Sequence, residues 1–199
     1  MMKNRIQPLC LALVLIVCLS VNALGCVGKT LEIGTTGSIQ QDVLANIIAE
    51  LIVERTGTTV KLVPFNSSVE AHAALMKAEI DMYVEYTGVG QTAILQAQSL
   101  ADPVELYKAV KERYSQELNL VWLEPLGFDA AQSLGVTLPA EAAPVVRKDT
   151  LKKFPALARL INKLGGKIDL QTITLLEKEA TSGQPKQVAH SFLKTNRLI

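Results

Sequence analysis

From residue 30 onward, short apolar runs alternate with segments whose apolar residues share a helical face. "TLEIG" (30–34) reads as a strand that runs into the turn "TTGS"; after it Val43, Leu44, Ile47, Ile48, Leu51 and Ile52 line one side of a helix that closes at Gly57. "TTVKLVPF" (58–65) predicts a second strand, stopped by "NSS", and Ser67 or Ser68 caps a helix through Met76. "EIDMYVEY" (79–86) is the third strand. Strand, helix, strand, helix, strand argues for a parallel sheet covered by helices.

Downstream, "ADPVELYKAVKERYSQEL" carries a helix start: Asp102 at the N-cap, Pro103 at the first helical position and Glu105 three residues after the cap. Its expected apolar face is Val104, Tyr107, Val110 and Tyr114. "NLVWLEPL" (119–126) predicts a fourth strand, with the only tryptophan, Trp122, as a core or rim residue. Periodicity disappears over 129–142, which Gly135 and Pro139 interrupt, so this reads as a connection. "APVVRKDT" (143–150) predicts a fifth strand. Helices follow over 149–166, over 169–183 with Asp169 as cap, and over 185–196 opened by Pro185. The expectation is one α/β unit over 30–199 with an approximately five-stranded, mostly parallel sheet and helices on both faces.

The N-terminus has the layout of an export signal over residues 1–25. Lys3 and Arg5 precede a uniformly apolar stretch from Leu9 to Leu19. Cleavage is expected either after "VNA", with Val21 and Ala23 at the small-residue positions, or just before Cys26 in "ALGC". Cys10 and Cys18 lie inside the signal, so Cys26 is left without an intramolecular disulfide partner. An unpaired thiol is a liability in an oxidising compartment, which favours a lipidated Cys26 and a membrane anchor, with 26–29 as linker, over an incidental thiol. Removing Lys3 and Arg5 takes the formal charge from +1 to 1 − 2 = −1. A near-neutral chain lacks the basic surface that nucleic-acid binding needs, and no later apolar run reaches membrane-spanning length.

Candidate chemistry is sparse. His72 and His190 each stand alone on a helix, with no cysteine or carboxylate at ligand spacing, so no metal site is expected. No serine occupies a nucleophile elbow, no acid, base and nucleophile constellation is visible, and no cofactor is implied, so the chain is not expected to be an enzyme. The turn "GTTGS" lacks both the P-loop ending and the dinucleotide glycine spacing. Its backbone N–H groups at Gly37 and Ser38 could hold a small carboxylate at the positive end of a helix, or it is simply a tight turn. In "DMYVEYTGVG" (81–90), Tyr83 and Tyr86 lie at the carboxyl end of a strand, the edge where open α/β sheets bind ligands. Their rings could attract a quaternary ammonium, or pack under a helix.

"EIGTTGSIQQDVLANIIAELI", "DMYVEYTGVG", "VWLEPLGF", "APVVRKDTLKKFPAL" and "QVAHSFLKTNRLI", in that order, resemble the extracytoplasmic glycine betaine/choline/carnitine-binding proteins of ABC importers. The resemblance covers most of the chain after the signal, and Glu-Tyr-Thr-Gly is its most specific element. It implies a Rossmann-like lobe of a periplasmic binding protein, an exported periplasmic or cell-surface location, ABC permease subunits as partners, and a quaternary-amine ligand held by tyrosines. Such proteins have two lobes; here only 129–142 stands where the second would be, so the resemblance implies a one-lobe version. Tyr86 matches the motif's box tyrosine. The family's first-turn lysine falls on Thr36, a carboxylate-binding threonine on Val89, and the tyrosine beyond Pro-Leu-Gly-Phe on Gln132. With so little of the site retained, any quaternary-amine binding is expected to be weak. The alternative reading is a non-transport interaction or regulatory module that uses the former interlobe face, for instance as a homodimer.

Overall fold

The computed structural model describes residues 30–199. The signal segment and Cys26 lie outside the described residues. Strand β1 (Leu31–Thr35) leads into helix α1 (Ile39–Thr56), β2 (Val60–Pro64), α2 (Ser68–Met76) and β3 (Met82–Tyr86). Each helix starts where a polar side chain caps it: Ser38 accepts from the Gln41 N–H, and Ser67, rather than Ser68, accepts from the Glu70 N–H. Gly57 ends α1 in the left-handed conformation at φ 69°.

After β3 comes one helical turn, Thr87–Val89, and a wider π turn, Gly90–Ile94; then α3 (Pro103–Glu117), β4 (Leu120–Trp122), α4 (Ala131–Leu134) and β5 (Ala142–Arg147). The sheet order is β2-β1-β3-β5-β4. The pairs β1–β2 and β1–β3 are parallel, while β5 runs antiparallel to both β3 and β4. Four of the five strands therefore point the same way, and β5 returns between two of them. Chain ends are built from α5 (Lys148–Lys153), α6 (Leu157–Ile161), α7 (Leu170–Ser182) and α8 (Pro185–Thr195).

Two apolar cores flank the sheet. Met82, Val84 and Tyr86 of β3 pack with α1 and the C-terminal helices, whereas Tyr83 packs with Ala71, Leu106, Val110, Tyr114 and Trp122 on the other face. This is the strand period of two at work.

Several sequence expectations are corrected. The fourth strand stops at Trp122 instead of continuing to residue 126. Val104 is 74% exposed, and Leu106 replaces it on the buried face of α3, in line with Val110 and Tyr114 at four-residue spacing. The helix expected over 149–166 breaks between α5 and α6 at Pro155, whose missing N–H cannot continue the ladder. Residues 129–142 are a connection with a little order of its own, namely α4 and an isolated antiparallel bridge between Asp129 and Glu141.

Candidate functional site

The carboxyl ends of β1 and β3 lie side by side, because the two strands pair in parallel. At the end of β1 the chain turns through Thr36, Gly37 and Ser38 into α1. Gly37 has φ 76°, which a side chain would strain. The Gln41 N–H is already taken by Ser38 Oγ at 3.1 Å, and Asp42 sits in the same first turn. The cap thus uses the Gln41 N–H, and Asp42 adds negative charge to the same turn.

Tyr83 and Tyr86 are not a pair. Three residues apart on a strand, they point to opposite faces, and both rings are buried. The Tyr83 hydroxyl donates to Glu85 Oε2 at 3.1 Å and stands 3.3 Å from His72 Nδ1. Glu85 is fully buried; its Oε1 accepts from the Tyr86 N–H at 2.8 Å and from the Ser68 hydroxyl at 3.2 Å. Burial pushes its carboxyl up to about 7, although these donors favour the charged form. Burial also raises Tyr83 and lowers His72.

On the α1 face, Tyr86 donates to the Gln40 side-chain oxygen, and the Gln40 amide donates to Glu177 of α7. Gln41 follows Gln40 on α1 and lies near the Tyr86 hydroxyl, which burial raises. Yet Gln41 is only 1% exposed, and neither its Oε1 nor its Nε2 has a hydrogen-bond partner among the described residues. A buried amide left in this state costs about 1–3 kcal/mol. Sequence reading passed over Gln40, Gln41 and Glu177; the available signal was two adjacent glutamines in the first turn of an otherwise apolar helix.

Thr87 and Gly88 abut the connection. Thr87 Oγ1 accepts from the Glu141 N–H at 3.1 Å, and a Cβ on Gly88 would lie 2.6 Å from the Pro139 carbonyl oxygen. Val89 is half-buried against the α1-side core, and Gln132 is exposed on α4. The structure thus gathers Gly37, Ser38 and Tyr86 at one sheet edge and sends Tyr83 to the opposite core. His190 is also not alone: its Nδ1 lies 3.5 Å from Glu50 Oε2, a partner brought by packing of α8 on α1 and invisible in the spacing of either helix.

Residues 29–139 and 137–195 match the family model for the substrate-binding domain of ABC-type glycine betaine transport systems. The chain belongs to this family. Among curated relatives, a carnitine transport binding protein, OpuCC of Listeria monocytogenes, is 28% identical over 127 residues, 63% of this chain and 38% of that protein. A glycine-betaine-binding protein of Pseudomonas aeruginosa is 30% identical over 143 residues, 71% of this chain and 43% of that protein. The chain therefore spans less than half the length of these relatives. A crystal structure described as a glycine betaine/carnitine/choline ABC transporter superposes with a TM-score of 0.79 at 17% identity, covering 86% of this chain and 99% of that one. At that identity the likeness speaks for the fold, and the fold is the family's mixed α/β lobe. The two stretches matched by the family model meet at residues 137–139, inside the connection between β4 and β5.

Proposed function

We propose that this chain is a one-lobe solute-binding component of an ABC importer for small quaternary-amine osmoprotectants such as glycine betaine, choline or carnitine. Residues 30–199 form the lobe, and 129–142 replaces the second one. In this reading residues 1–25 direct export, Cys26 carries the lipid that ties the lobe to the membrane surface, and the permease subunits are its docking partners.

The observation that carries the proposal is the buried, unpartnered Gln41 amide beside Tyr86, at the carboxyl edge of the sheet. A solute bearing a carboxylate or a hydroxyl gives Gln41 the partner it lacks, and the Tyr86 ring offers its face to the ammonium. Thr36, Val89 and Gln132 do not add the lysine, threonine and tyrosine that the family resemblance would supply, and Gln41 and Tyr86 are 1% and 4% exposed, so the pocket must open to admit a ligand.

Binding by the isolated chain is accordingly weak. One cation–π contact contributes about 0.5–2 kcal/mol, whereas millimolar affinity already requires about 4 kcal/mol. Calorimetry with glycine betaine, choline and carnitine should show dissociation constants above about 1 mM, weaker still in Gln41→Ala. Micromolar binding that Tyr86→Ala abolishes would show instead that one lobe suffices for capture. Complete indifference to all three solutes at saturating concentrations, in wild type and variants alike, would remove the solute-binding role.

A further inference from the structure

Away from that edge, the first and last helices bring three ligand-type side chains together. Glu50 and Glu54, one turn apart on α1, share a face, and His190 meets them from α8; one ligand atom of each lies within 4.8 Å of the others. Glu50 is the unusual member. It is 7% exposed, yet among the described residues no hydrogen bond reaches its carboxylate. Its contacts are two long ion pairs: Lys186 Nζ at 3.3 Å from Oε1 and His190 Nδ1 at 3.5 Å from Oε2.

A largely buried carboxylate favours neighbours that neutralise its charge. Lys186 does this incompletely, from a side chain that is 70% exposed and carries its charge on a flexible stem. We propose that Glu50, Glu54 and His190 form a binding site for a divalent transition-metal ion of the Zn2+ class, which displaces the Lys186 ammonium and ties α8 to α1.

The donor set suits such an ion. Imidazole nitrogen and carboxylate oxygen bind zinc at about 2.0–2.2 Å, three protein ligands leave one position for water, and donors around a tetrahedral ion stand about 3.4 Å apart. Closing from 4.8 Å to that spacing takes small rotations, and the exposed Glu54 is free to make them. Nδ1 of His190 lies 3.5 Å from Glu50 Oε2.

The test is titration of Zn2+ by calorimetry, and of Co2+ by visible absorption, into the protein purified without an affinity tag. One ion per chain is expected. His190→Ala should weaken binding by at least about 10-fold, the loss that follows even from removing an outer-shell partner. Glu54→Gln, at an exposed position that does not threaten folding, should weaken it as well, and His72→Ala should leave it unchanged. Lys186→Met should tighten binding, because it removes the resident competitor. Absence of saturable binding, equal affinity in His190→Ala and Glu54→Gln, or no gain in Lys186→Met would each overturn the assignment.

Discussion

Glu85 shows how much one position can differ from its appearance in a motif. In the sequence it is the acidic half of Glu-Tyr-Thr-Gly; in the fold it is a carboxyl buried behind Tyr83, Ser68 and the Tyr86 N–H. Its folded value of about 7 stands above the 4.5 of the free side chain. Between these values the unfolded chain releases the proton while the folded chain keeps it, so Glu85 makes the protein less stable as pH rises from 4.5 to 7, and the loss is complete above that. The full effect is roughly 3 kcal/mol. His72, lowered by burial, works in the opposite direction, losing stability as pH falls through its range. Denaturant unfolding of Glu85→Gln beside the wild type separates the two. At pH 5 the two proteins should be close in stability, because the wild-type carboxyl is neutral there. At pH 8 the variant should be the more stable. A difference that does not change between these pH values would mean that Glu85 is already ionised in the fold.

At the scale of elements, capped helices and the parallel strands follow from local pattern, whereas packing against a neighbour does not. Asp102, Pro103 and Glu105 start α3 as their spacing predicts, with Asp102 accepting from the Glu105 N–H at 2.8 Å. By contrast, the π turn Gly90–Ile94 makes sense only against Trp122. A Cβ on Gly90 would lie 2.7 Å from the Trp122 ζ2 carbon and 3.1 Å from the Tyr114 hydroxyl. Both rings are buried and meet edge to face, so neither can move aside without disturbing the core on that side of the sheet. Gly90→Ala should therefore destabilise by about 1–3 kcal/mol, the usual cost of overpacking, and lower the thermal midpoint. An unchanged midpoint would show that the π turn can shift away from Trp122.

For the whole molecule, the question is whether the connection between β4 and β5 is a brace or a place where chain length is free. Gly135 ends α4 at φ 65°, and a Cβ there meets nothing within 4 Å. On the N-terminal side Ala130 and Ala131 pack on the core, and after Gly135 Leu138 and Pro139 meet Thr87 and Gly88. Lengthening a loop costs about 0.6 kcal/mol per doubling. An insertion of about ten glycine and serine residues after Gly135 should thus cost on the order of 1 kcal/mol and preserve the circular dichroism spectrum. Loss of cooperative unfolding would show that α4 holds the sheet together, and would count against this connection standing in the place of a lobe.

The sequence by itself determined whatever depends on near neighbours in the chain: the alternation of strands and helices, the caps at Asp102 and Asp169, the helix end at Gly57, the parallel arrangement of the first three strands, and the family resemblance carried by contiguous motifs. Only the tertiary structure decided which faces meet. The strand period alone sends Tyr83 and Tyr86 to opposite faces, and the tertiary structure decided which core covers each ring. It set Gln40 between Tyr86 and Glu177, residues 46 and 137 positions away, and left the Gln41 amide buried without a partner. It also brought His190 to Glu50 by laying the last helix along the first. Periodicity shows which side of an element is apolar, but it carries no information about the element that will cover that side. Contacts between residues far apart in the chain, which make up both the candidate ligand edge and the helix-to-helix cluster, arise only when the sheet order and the helix packing have been set.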